Sequence, residues 1–574
     1  MKRFLFCINV TLFCFVQENH AQFNQSNLPI VVINTNGVTI PDEPKIIVDF
    51  KVLYHSDGSI NFISDNPHFL GKAGIELRGH SSLIFPKKSY SIELADLEGE
   101  ETKFPLLGLP SESDWVLIAN YDDKTSLKNA YIYHLWAQTG RYSPRNKHVE
   151  VIIDNEYMGI YVLTEKIKRD SERINIKKLE APETDTLKIT GGYIIEASRE
   201  SEITDKEYLW QSSYSSSPES SFYMNFECIY PKKPVKQQLD YIKDYINSFE
   251  ASLKSIDFKN PESGFRKYID EESFIDNFLI QEYSLHLDIF ARSQFFFKDR
   301  GKKMVASPLW DTSNGLFENY TDKWRFSCSS CDPRFFWFER MMEDCNFRSR
   351  VVERYKEFRR GFLTYEKSIH YIDSVAVAIQ EAIERDRTKW YPFEPGTFAD
   401  EIQKLKNFVA KRLNWIDNNI ISIVEPGSVL ASSTYIADIN QEIRLVSTCP
   451  GDYPVFWTYD TDEGETGSFV GRNIENVLFT KTITYYAKCQ TSCLVYSNSV
   501  KVNLIGTCPD FLILETTALN PQLQDFKSKY TLTSNIPLPL KSRVLYSAGH
   551  SILLSAGFEA TAQEVFVAKI EGCR

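Results

Sequence analysis

Long apolar runs are missing from this 574-residue sequence after its first 16 positions. A membrane-spanning helix needs about 20 consecutive apolar residues, and the run from Phe4 to Val16 is shorter. Lys2 and Arg3 precede this run and Ala21 follows it, a pattern typical of a secretory signal cleaved near Ala21. We therefore expect residues 1–22 to be a signal peptide. The mature protein is expected to be secreted or at the cell surface, without a transmembrane segment.

An excess of positive charge is absent as well. The chain has 65 Lys and Arg against 77 Asp and Glu, a formal net charge of -12. Removing Lys2, Arg3 and Glu18 with the signal leaves 63 basic and 76 acidic side chains, a net charge of -13. Proteins that bind nucleic acid neutralise its phosphates with a cationic surface. The composition therefore argues against nucleic acid as a partner.

A second cysteine pair that would complete a zinc site is also lacking. Cys328 and Cys331 form a C-x-x-C motif, but zinc needs four ligands and no other pair has matching spacing. The motif fits a loop disulfide or two unrelated thiols. Of 11 cysteines, nine remain after the signal is removed. The oxidising environment outside the cytoplasm allows such cysteines to form disulfides. The odd number leaves at least one thiol unpaired or bonded to another molecule.

The length predicts three or four domains. Alternating strand patterns dominate residues 28–196, and helical spacing dominates residues 237–424. The first domain, residues 23–425, is therefore predicted to be α+β, with a β-rich front half and a helical back half.

Two small all-β domains are predicted after it. Residues 426–506 contain short alternating strands typical of an immunoglobulin-like sandwich. Residues 507–574 contain further alternating strands and form a small C-terminal β-module. Two disulfides are placed to stabilise these domains: Cys449 with Cys489, around Trp457, and Cys508 with Cys573. Neither domain carries a set of catalytic residue types.

A β-hairpin is predicted between the two halves of the first domain. Residues 293–298 and 303–310 are aromatic-rich and flank the turn-forming residues 299–302. Asp288 lies 12 residues before position 300 and Asp311 lies 11 after it, so folding brings both carboxylates to the open end. There the two carboxylates could bind one divalent metal ion together. Alternatively, one could act as a general base while the other binds the metal. In the alternative interpretation, each Asp only caps a loop or a turn.

Basic residues flank a loop of small residues near the N-terminus. Arg78 and the pair Lys87 and Lys88 lie on strands on either side of residues 79–82. Such a loop can present backbone N–H groups and cations to a polyphosphate, although Gly and Ser are also ordinary hairpin residues. Glu165 ends an apolar strand, where it faces either a cation or solvent.

Several collinear segments between residues 28 and 420 carry a family resemblance. They are LPIVVINTNG with IPDEPK, IELRGHSSLIFPKKSYSIEL, DWVLIANYDDKTSLKNA, YMGIYVLTEKIKRDSERINI, GGYIIE, and LDIFARSQFFFKD with PLWDTSNG. Together they resemble the spore coat protein H (CotH) kinase family, in the form found on secreted multidomain proteins of Bacteroidetes-type bacteria. The end of the chain, GHSILLSAGFEATAQEVFVAKIEGC, is similar to a C-terminal β-module of such proteins.

The resemblance implies a much-diverged protein-kinase fold that uses ATP and Mg²⁺ or Mn²⁺. Its substrates would be Ser or Thr residues of secreted or surface proteins. Asp288 takes the position of the catalytic base and Asp311 that of the metal-binding Asp. Ser293 stands five residues after Asp288, where protein kinases have a metal-binding Asn. Asn314 is a substitute metal ligand, shifted by one position from the family pattern.

The resemblance also assigns the phosphate-binding residues. Arg78 and Lys87 or Lys88 match the strand that contacts phosphate, and Glu165 is expected to pair with that lysine. An exported kinase is the leading hypothesis. The alternative is a catalytically silent kinase-like adhesin or scaffold. Ser293 favours it, as do the β-domains, which are typical of surface interaction proteins and would associate with the cell surface.

Overall fold

Seven strands between residues 30 and 165 form a closed barrel. The computed structural model describes residues 23–198, 206–215, 223–319, 321–327 and 336–420, and shorter segments between 435 and 570. The strands of the front half are β1 (Gln25–Ser26), β2 (Ile30–Asn34), β3 (Ile46–Leu53), β4 (Asn61–Phe62), β5 (Phe69–Arg78), β6 (Ser89–Ala95), β7 (Asp114–Ile118), β8 (Asn146–Ile153) and β9 (Glu156–Glu165). The barrel order is β2-β3-β5-β6-β7-β9-β8, and parallel pairing of β2 with β8 closes it.

A five-stranded sheet follows the barrel and carries the predicted hairpin. Its strands are β10 (Tyr193–Ser198), β11 (Leu209–Ser215), β12 (Tyr223–Tyr230), β13 (Gln294–Lys298) and β14 (Met304–Ala306). Their spatial order is β11-β12-β10-β13-β14. β13 and β14 pair antiparallel, with Lys298 opposite Met304, so the hairpin prediction is confirmed.

Helices form most of the back half, as the sequence predicted. These helices are α2 (Lys236–Lys254), α3 (Glu271–Ser284), α4 (Phe336–Met341), α5 (Cys345–Arg360), α6 (Tyr365–Trp390) and α7 (Phe398–Asn419), whereas α1 (Lys128–Ala137) lies in the front half between β7 and β8. Trp337 of α4 and Phe347 and Val351 of α5 are fully buried, so these helices contribute to the core. Within the described part of the chain, no helix is both long and apolar enough to cross a membrane.

Two large apolar cores and a smaller one hold these parts together. One large core fills the barrel, and the other joins the helices to the five-stranded sheet. The smaller core lies where the barrel meets the sheet. It includes Val116 of β7, Tyr133 of α1, Ile194 of β10, Phe295 of β13 and Trp310. This small core determines where the end of the hairpin lies relative to the barrel.

Strands also dominate the described segments beyond residue 435. They are β15 (Tyr435–Ala437), β16 (Glu442–Val446), β17 (Val455–Thr461), β18 (Thr466–Val470), β19 (Asn473–Leu478), β20 (Ile483–Cys489), β21 (Val495–Tyr496), β22 (Val500–Leu504), β23 (Phe511–Leu514), β24 (Gln524–Ser528), β25 (Thr531–Ser534), β26 (Arg543–Ala548), β27 (Ser551–Leu554) and β28 (Val565–Lys569). The last six pair in parallel. Register partners are 20 residues apart in β23, β25 and β27, as in Phe511, Thr531 and Ser551. They are 20 residues apart between β24 and β26 and 22 apart between β26 and β28.

The structure defines the state of two cysteines but leaves the predicted disulfides untested. Cys228 is a buried free thiol, and Cys345 at the start of α5 is disulfide-bonded. The predicted pairs all depend on cysteines that lie outside the described residues, namely Cys328, Cys331, Cys449, Cys508 and Cys573.

Candidate active site

The open end of the β13–β14 hairpin holds two loops side by side. The Leu287 N–H donates to the Asn314 carbonyl at 2.9 Å, and the Leu316 N–H donates to the Ser284 carbonyl at 2.9 Å. Gly315 lies at this contact, where a Cβ atom would come within 2.7 Å of the Ser284 carbonyl oxygen. Only glycine allows so close an approach. The loops that carry the two predicted acidic residues are therefore fixed to each other by their backbones.

Asp288 lies in the first of these loops. Its side chain is 16% exposed, and one carboxylate oxygen lies 2.9 Å from a guanidinium nitrogen of Arg292. The Asp288 carbonyl accepts hydrogen bonds from the backbone N–H groups of Ala291 and Arg292. Ser293, the next residue, is half-buried and has a positive φ of 51°. The Asp288 carboxylate is therefore oriented by Arg292, which lies four residues later in the same loop.

Asp311 lies in the second loop and is exposed. Its φ of 54° is in the left-handed region, and its backbone N–H donates to the Tyr133 hydroxyl at 3.4 Å. The next N–H, of Thr312, donates to the side-chain oxygen of Asn129 at 2.8 Å. Asn129 and Tyr133 are four residues apart on α1 and so share one face of that helix. This face of α1 therefore binds the backbone of the loop at Asp311 and Thr312.

Arg78 at the end of β5 approaches the same place from the barrel. Its guanidinium lies 5.4 Å from the ring centroid of Trp310, which stacks on Tyr133 at 5.9 Å. Burial, and next the negative charge of Asp311, raise the pKa of Tyr133, whereas the charge of Arg78 lowers it. Both charges therefore lie close to the same hydroxyl. The structure thus brings Arg78, Asp311 and the Asp288 loop to one region.

Lys87 and Glu165 do not form the expected pair, and that prediction is wrong. Lys87 is 2% exposed and donates to the Asp386 carboxylate at 2.7 Å and the Ile160 carbonyl at 2.6 Å. Glu165 is fully buried and lies 3.0 Å from the Arg145 side chain. The two side chains therefore have separate partners.

Strand alternation explains the separation. Tyr161 and Leu163 of β9 belong to the barrel core, and Glu165 shares their face. Its carboxylate therefore points into the end of the barrel, where Arg173 also approaches to 3.7 Å. Lys88, the other predicted lysine, donates to the carbonyl of Leu83 in the preceding loop. The structure does not bring these three residues to the hairpin end.

The donor set fits a magnesium-type ion. Among the described residues, no group of three His, Cys, Asp or Glu side chains forms a ready-made metal site. Mg²⁺ in phosphoryl-transfer sites, however, is held by one or two carboxylates together with substrate phosphates. Asp288 and Asp311 supply hard oxygen donors of this kind on adjacent loops. Asn314 and Ser293 lie on the same two loops and are the remaining oxygen donors that the sequence named.

A comparison with protein-family models matched the CotH kinase protein family over residues 75–416, more than half of the chain. The protein belongs to the CotH kinase family. The match includes Arg78, α1 and the complete β13–β14 hairpin, but not residues 28–74, which the sequence resemblance had included. No curated protein matched the chain in a second comparison. Membership of the CotH family indicates a protein-kinase-like function.

Sequence reasoning missed three residues that shape this CotH site. Asn129 and Tyr133 hold the Asp311 loop, yet they lie in an ordinary helix and only the folded structure shows their role. His286 forms a H-x-D motif with Asp288, the spacing of the H-R-D motif in protein kinases. It is 1% exposed, and burial, with the charge of Arg325, lowers the pKa of His286 to about 3. The ring is therefore neutral. That motif was a usable signal in the sequence.

Proposed function

We propose that this protein is an exported, metal-dependent protein kinase that transfers the γ-phosphoryl group of ATP to Ser or Thr residues of secreted or surface proteins. The observation that carries the proposal is the backbone contact between the Asp288 loop and the Asp311 loop, with Arg78 over the ring of Trp310, the residue before Asp311. Family membership supports the reaction class. Export is supported by the signal-like pattern at residues 2–21.

Asp288 serves as the base in this proposal. The acceptor hydroxyl oxygen bonds to the γ-phosphorus, the bond from that phosphorus to the β,γ-bridging oxygen breaks, and ADP leaves. The hydroxyl proton passes to the Asp288 carboxylate. Arg292, at 2.9 Å from that carboxylate, fixes its orientation.

Asp311 would hold Mg²⁺ or Mn²⁺, with Asn314 and Ser293 as supporting oxygen donors. When bound, such an ion neutralises the negative charge of the phosphates. The role of the Asp311 loop is to keep the carboxylate in place, through the hydrogen bonds to Tyr133 and Asn129. Arg78 offers a planar guanidinium, which matches the oxygen atoms of a phosphate group.

A silent kinase-like scaffold is the second candidate function. Ser293 stands where protein kinases have a metal-binding Asn, and a hydroxyl is a weaker ligand than an amide carbonyl. In addition, the Asp288 carboxylate is already engaged by Arg292. If this pair did not open for an acceptor hydroxyl, the domain would bind a partner without transferring phosphate.

A transfer assay with purified protein and labelled ATP separates the two functions. With Mg²⁺ or Mn²⁺ we expect incorporation into the protein itself or into an added acceptor. Asp288→Asn and Asp311→Asn should each lower the rate by about 10²-fold or more, because a positioned base alone contributes 10²–10⁴-fold. Asp299→Asn, at the closed end of the same hairpin, is the matched control and should keep the wild-type rate. Absence of incorporation with both metals, and of any thermal shift with ATP, would favour the scaffold.

A further inference from the structure

A cavity of about 420 Å³ lies beside the Asp311 loop. Its walls come from residues 122–125, the first residue of α1, residues 316–319 and the start of α7. A space of this size accommodates a small ligand or part of a peptide. The residues of the proposed transfer site do not line it.

Lys128, the first residue of α1, lines this cavity with an ammonium group that has no acceptor. The residue is only 8% exposed, and its side-chain nitrogen lies 4.1 Å from the ring centroid of Phe317. Within the described residues, no oxygen accepts a hydrogen bond from that nitrogen and no ion pair includes it. An ammonium that is shielded from water and lacks an acceptor costs free energy. An anionic group in the cavity would therefore stabilise Lys128.

The acidic residues of the cavity do not supply that anion. The Asp123 carboxylate accepts the backbone N–H of Lys128 at 2.8 Å and so caps α1. Glu318 forms an ion pair with Lys411 at 2.9 Å. Asp122 is exposed, so water solvates its carboxylate, and among the described residues no ion pair joins it to Lys128.

The two other lysines of the cavity differ from Lys128 because each has an acidic partner. Lys404 lies 2.7 Å from the Glu401 carboxylate, and Lys124 forms an ion pair with Glu394. Both side chains are also more exposed, at 56% and 32%. Of these three lysines, Lys128 is therefore the one whose N–H donors remain available to a ligand.

The Lys128 ammonium and the Arg78 guanidinium lie at opposite ends of the Asp311 loop. Tyr133 of α1 stacks on Trp310, over which Arg78 lies. Lys128 contacts Phe317, seven residues after Trp310. Tyr133 and Lys128 are five positions apart on α1, which corresponds to about 7.5 Å along the helix. If Arg78 contacts the nucleotide phosphates, the Lys128 end is left for the acceptor.

We propose that Lys128 binds an acidic side chain of the acceptor protein in this cavity, so that the enzyme selects Ser or Thr residues close to an Asp or Glu. The inference rests on the proposed function and names the class of acceptor segment. A carboxylate accepts hydrogen bonds from an ammonium group, and such charged hydrogen bonds are stronger than neutral ones.

Affinity selection from a randomised library of short peptides with a central Ser tests this preference. Without nucleotide, we expect the wild type to enrich Asp or Glu at one fixed distance from the Ser. The best acidic peptide should bind about tenfold or more tightly than its Asn or Gln counterpart, the value of one charged hydrogen bond. Lys128→Met should remove this difference and Lys128→Arg should keep it. Lys404→Met, which removes a paired lysine of the same cavity, is the matched control and should also keep it.

Melting temperature and ATP affinity separate this role from a structural or a nucleotide-binding one. Lys128→Met should not lower the melting temperature, because the ammonium has no acceptor and the Met sulfur can contact the Phe317 ring. It should also bind ATP with wild-type affinity. A wild type without acid preference, an unchanged preference in Lys128→Met, or a selective loss of ATP affinity in that variant would overturn the inference. Because peptide binding is measured without nucleotide, a failed transfer assay does not affect this result.

Discussion

Two adjacent lysines of the barrel differ sharply in their surroundings. The Lys87 ammonium is buried between Asp386 of α6 and the Ile160 carbonyl, and it lies 4.8 Å from the Tyr161 ring centroid. Lys88 is half-buried and donates to the carbonyl of Leu83 in the preceding loop. Burial lowers the pKa of Lys87 and raises that of Asp386, and each group opposes the shift of the other. Lys87 thus joins the barrel to α6.

We expect Lys87→Met to lower the free energy of unfolding by roughly 3–5 kcal/mol, because it leaves the Asp386 carboxylate buried without its cation. Lys88→Met removes one hydrogen bond and should cost about 1 kcal/mol. Denaturant unfolding measures both values. ATP affinity of the folded Lys87→Met protein should match the wild type. A selective loss of ATP affinity with unchanged stability would instead show that Lys87 belongs to the phosphate-binding site.

For individual residues, the sequence predicted their positions along the strands better than it predicted their interaction partners. Asp288 and Asp311 were placed at one end of a hairpin because turn residues fix which strand positions are opposite. The proposed partner of Lys87 was wrong because Asp386 is 299 residues away and no local pattern links the two.

A short segment, residues 321–327, lies against the Asp288 loop and ties α3 to α7. Arg412 of α7 donates to the Thr321 carbonyl at 2.7 Å. The Glu282 carboxylate of α3 accepts the backbone N–H groups of Arg325 and Phe326 at 3.0 Å and 2.7 Å. The Arg325 guanidinium then donates to the Leu287 carbonyl at 3.0 Å. The segment therefore supports the residue next to Asp288.

Glu282→Gln should loosen this support. An amide oxygen cannot replace both carboxylate oxygens, and the buried Arg412 loses a counterion at 3.5 Å. We expect a stability loss of roughly 2–4 kcal/mol and faster amide exchange at residues 285–292.

Glu271→Gln, at the other end of the same helix and partly exposed, is the control and should cost no more than about 1 kcal/mol. Exchange at residues 285–292 should remain slow in that variant. Equal exchange rates in both variants would show that the segment does not hold the Asp288 loop.

Individual helices and strands were more predictable from the sequence than their arrangement in space. The alternation of β2, β3 and β9 and the helical spacing of α2 were visible in the sequence, because each depends on local periodicity. Barrel closure depends on pairing Ile30–Ile33 with residues 150–153, which periodicity does not encode.

Over the whole molecule, the large apolar cores of the described residues lie between Leu28 and Ile420. The core that joins the helices to the five-stranded sheet extends to Ile420. The barrel core and the small core beside Trp310 lie before that point. We therefore expect the part of the chain up to residue 420 to carry its own stability. The immunoglobulin-like assignment of residues 426–506 and the separate β-module at 507–574 stay predictions.

A chain of residues 23–425 should fold and melt within about 3 °C of the same transition in residues 23–574, because all described core residues of the first domain are retained. A chain of residues 23–397 should fail to fold. It lacks α7, whose eight buried side chains include apolar residues that contribute about 1.5–3 kcal/mol each, together comparable to the whole stability of a domain. Calorimetry and near-ultraviolet circular dichroism of the two truncated chains test this boundary. Unfolding of the 23–425 chain would mean that the strands beyond residue 425 contribute to the same cooperative unit.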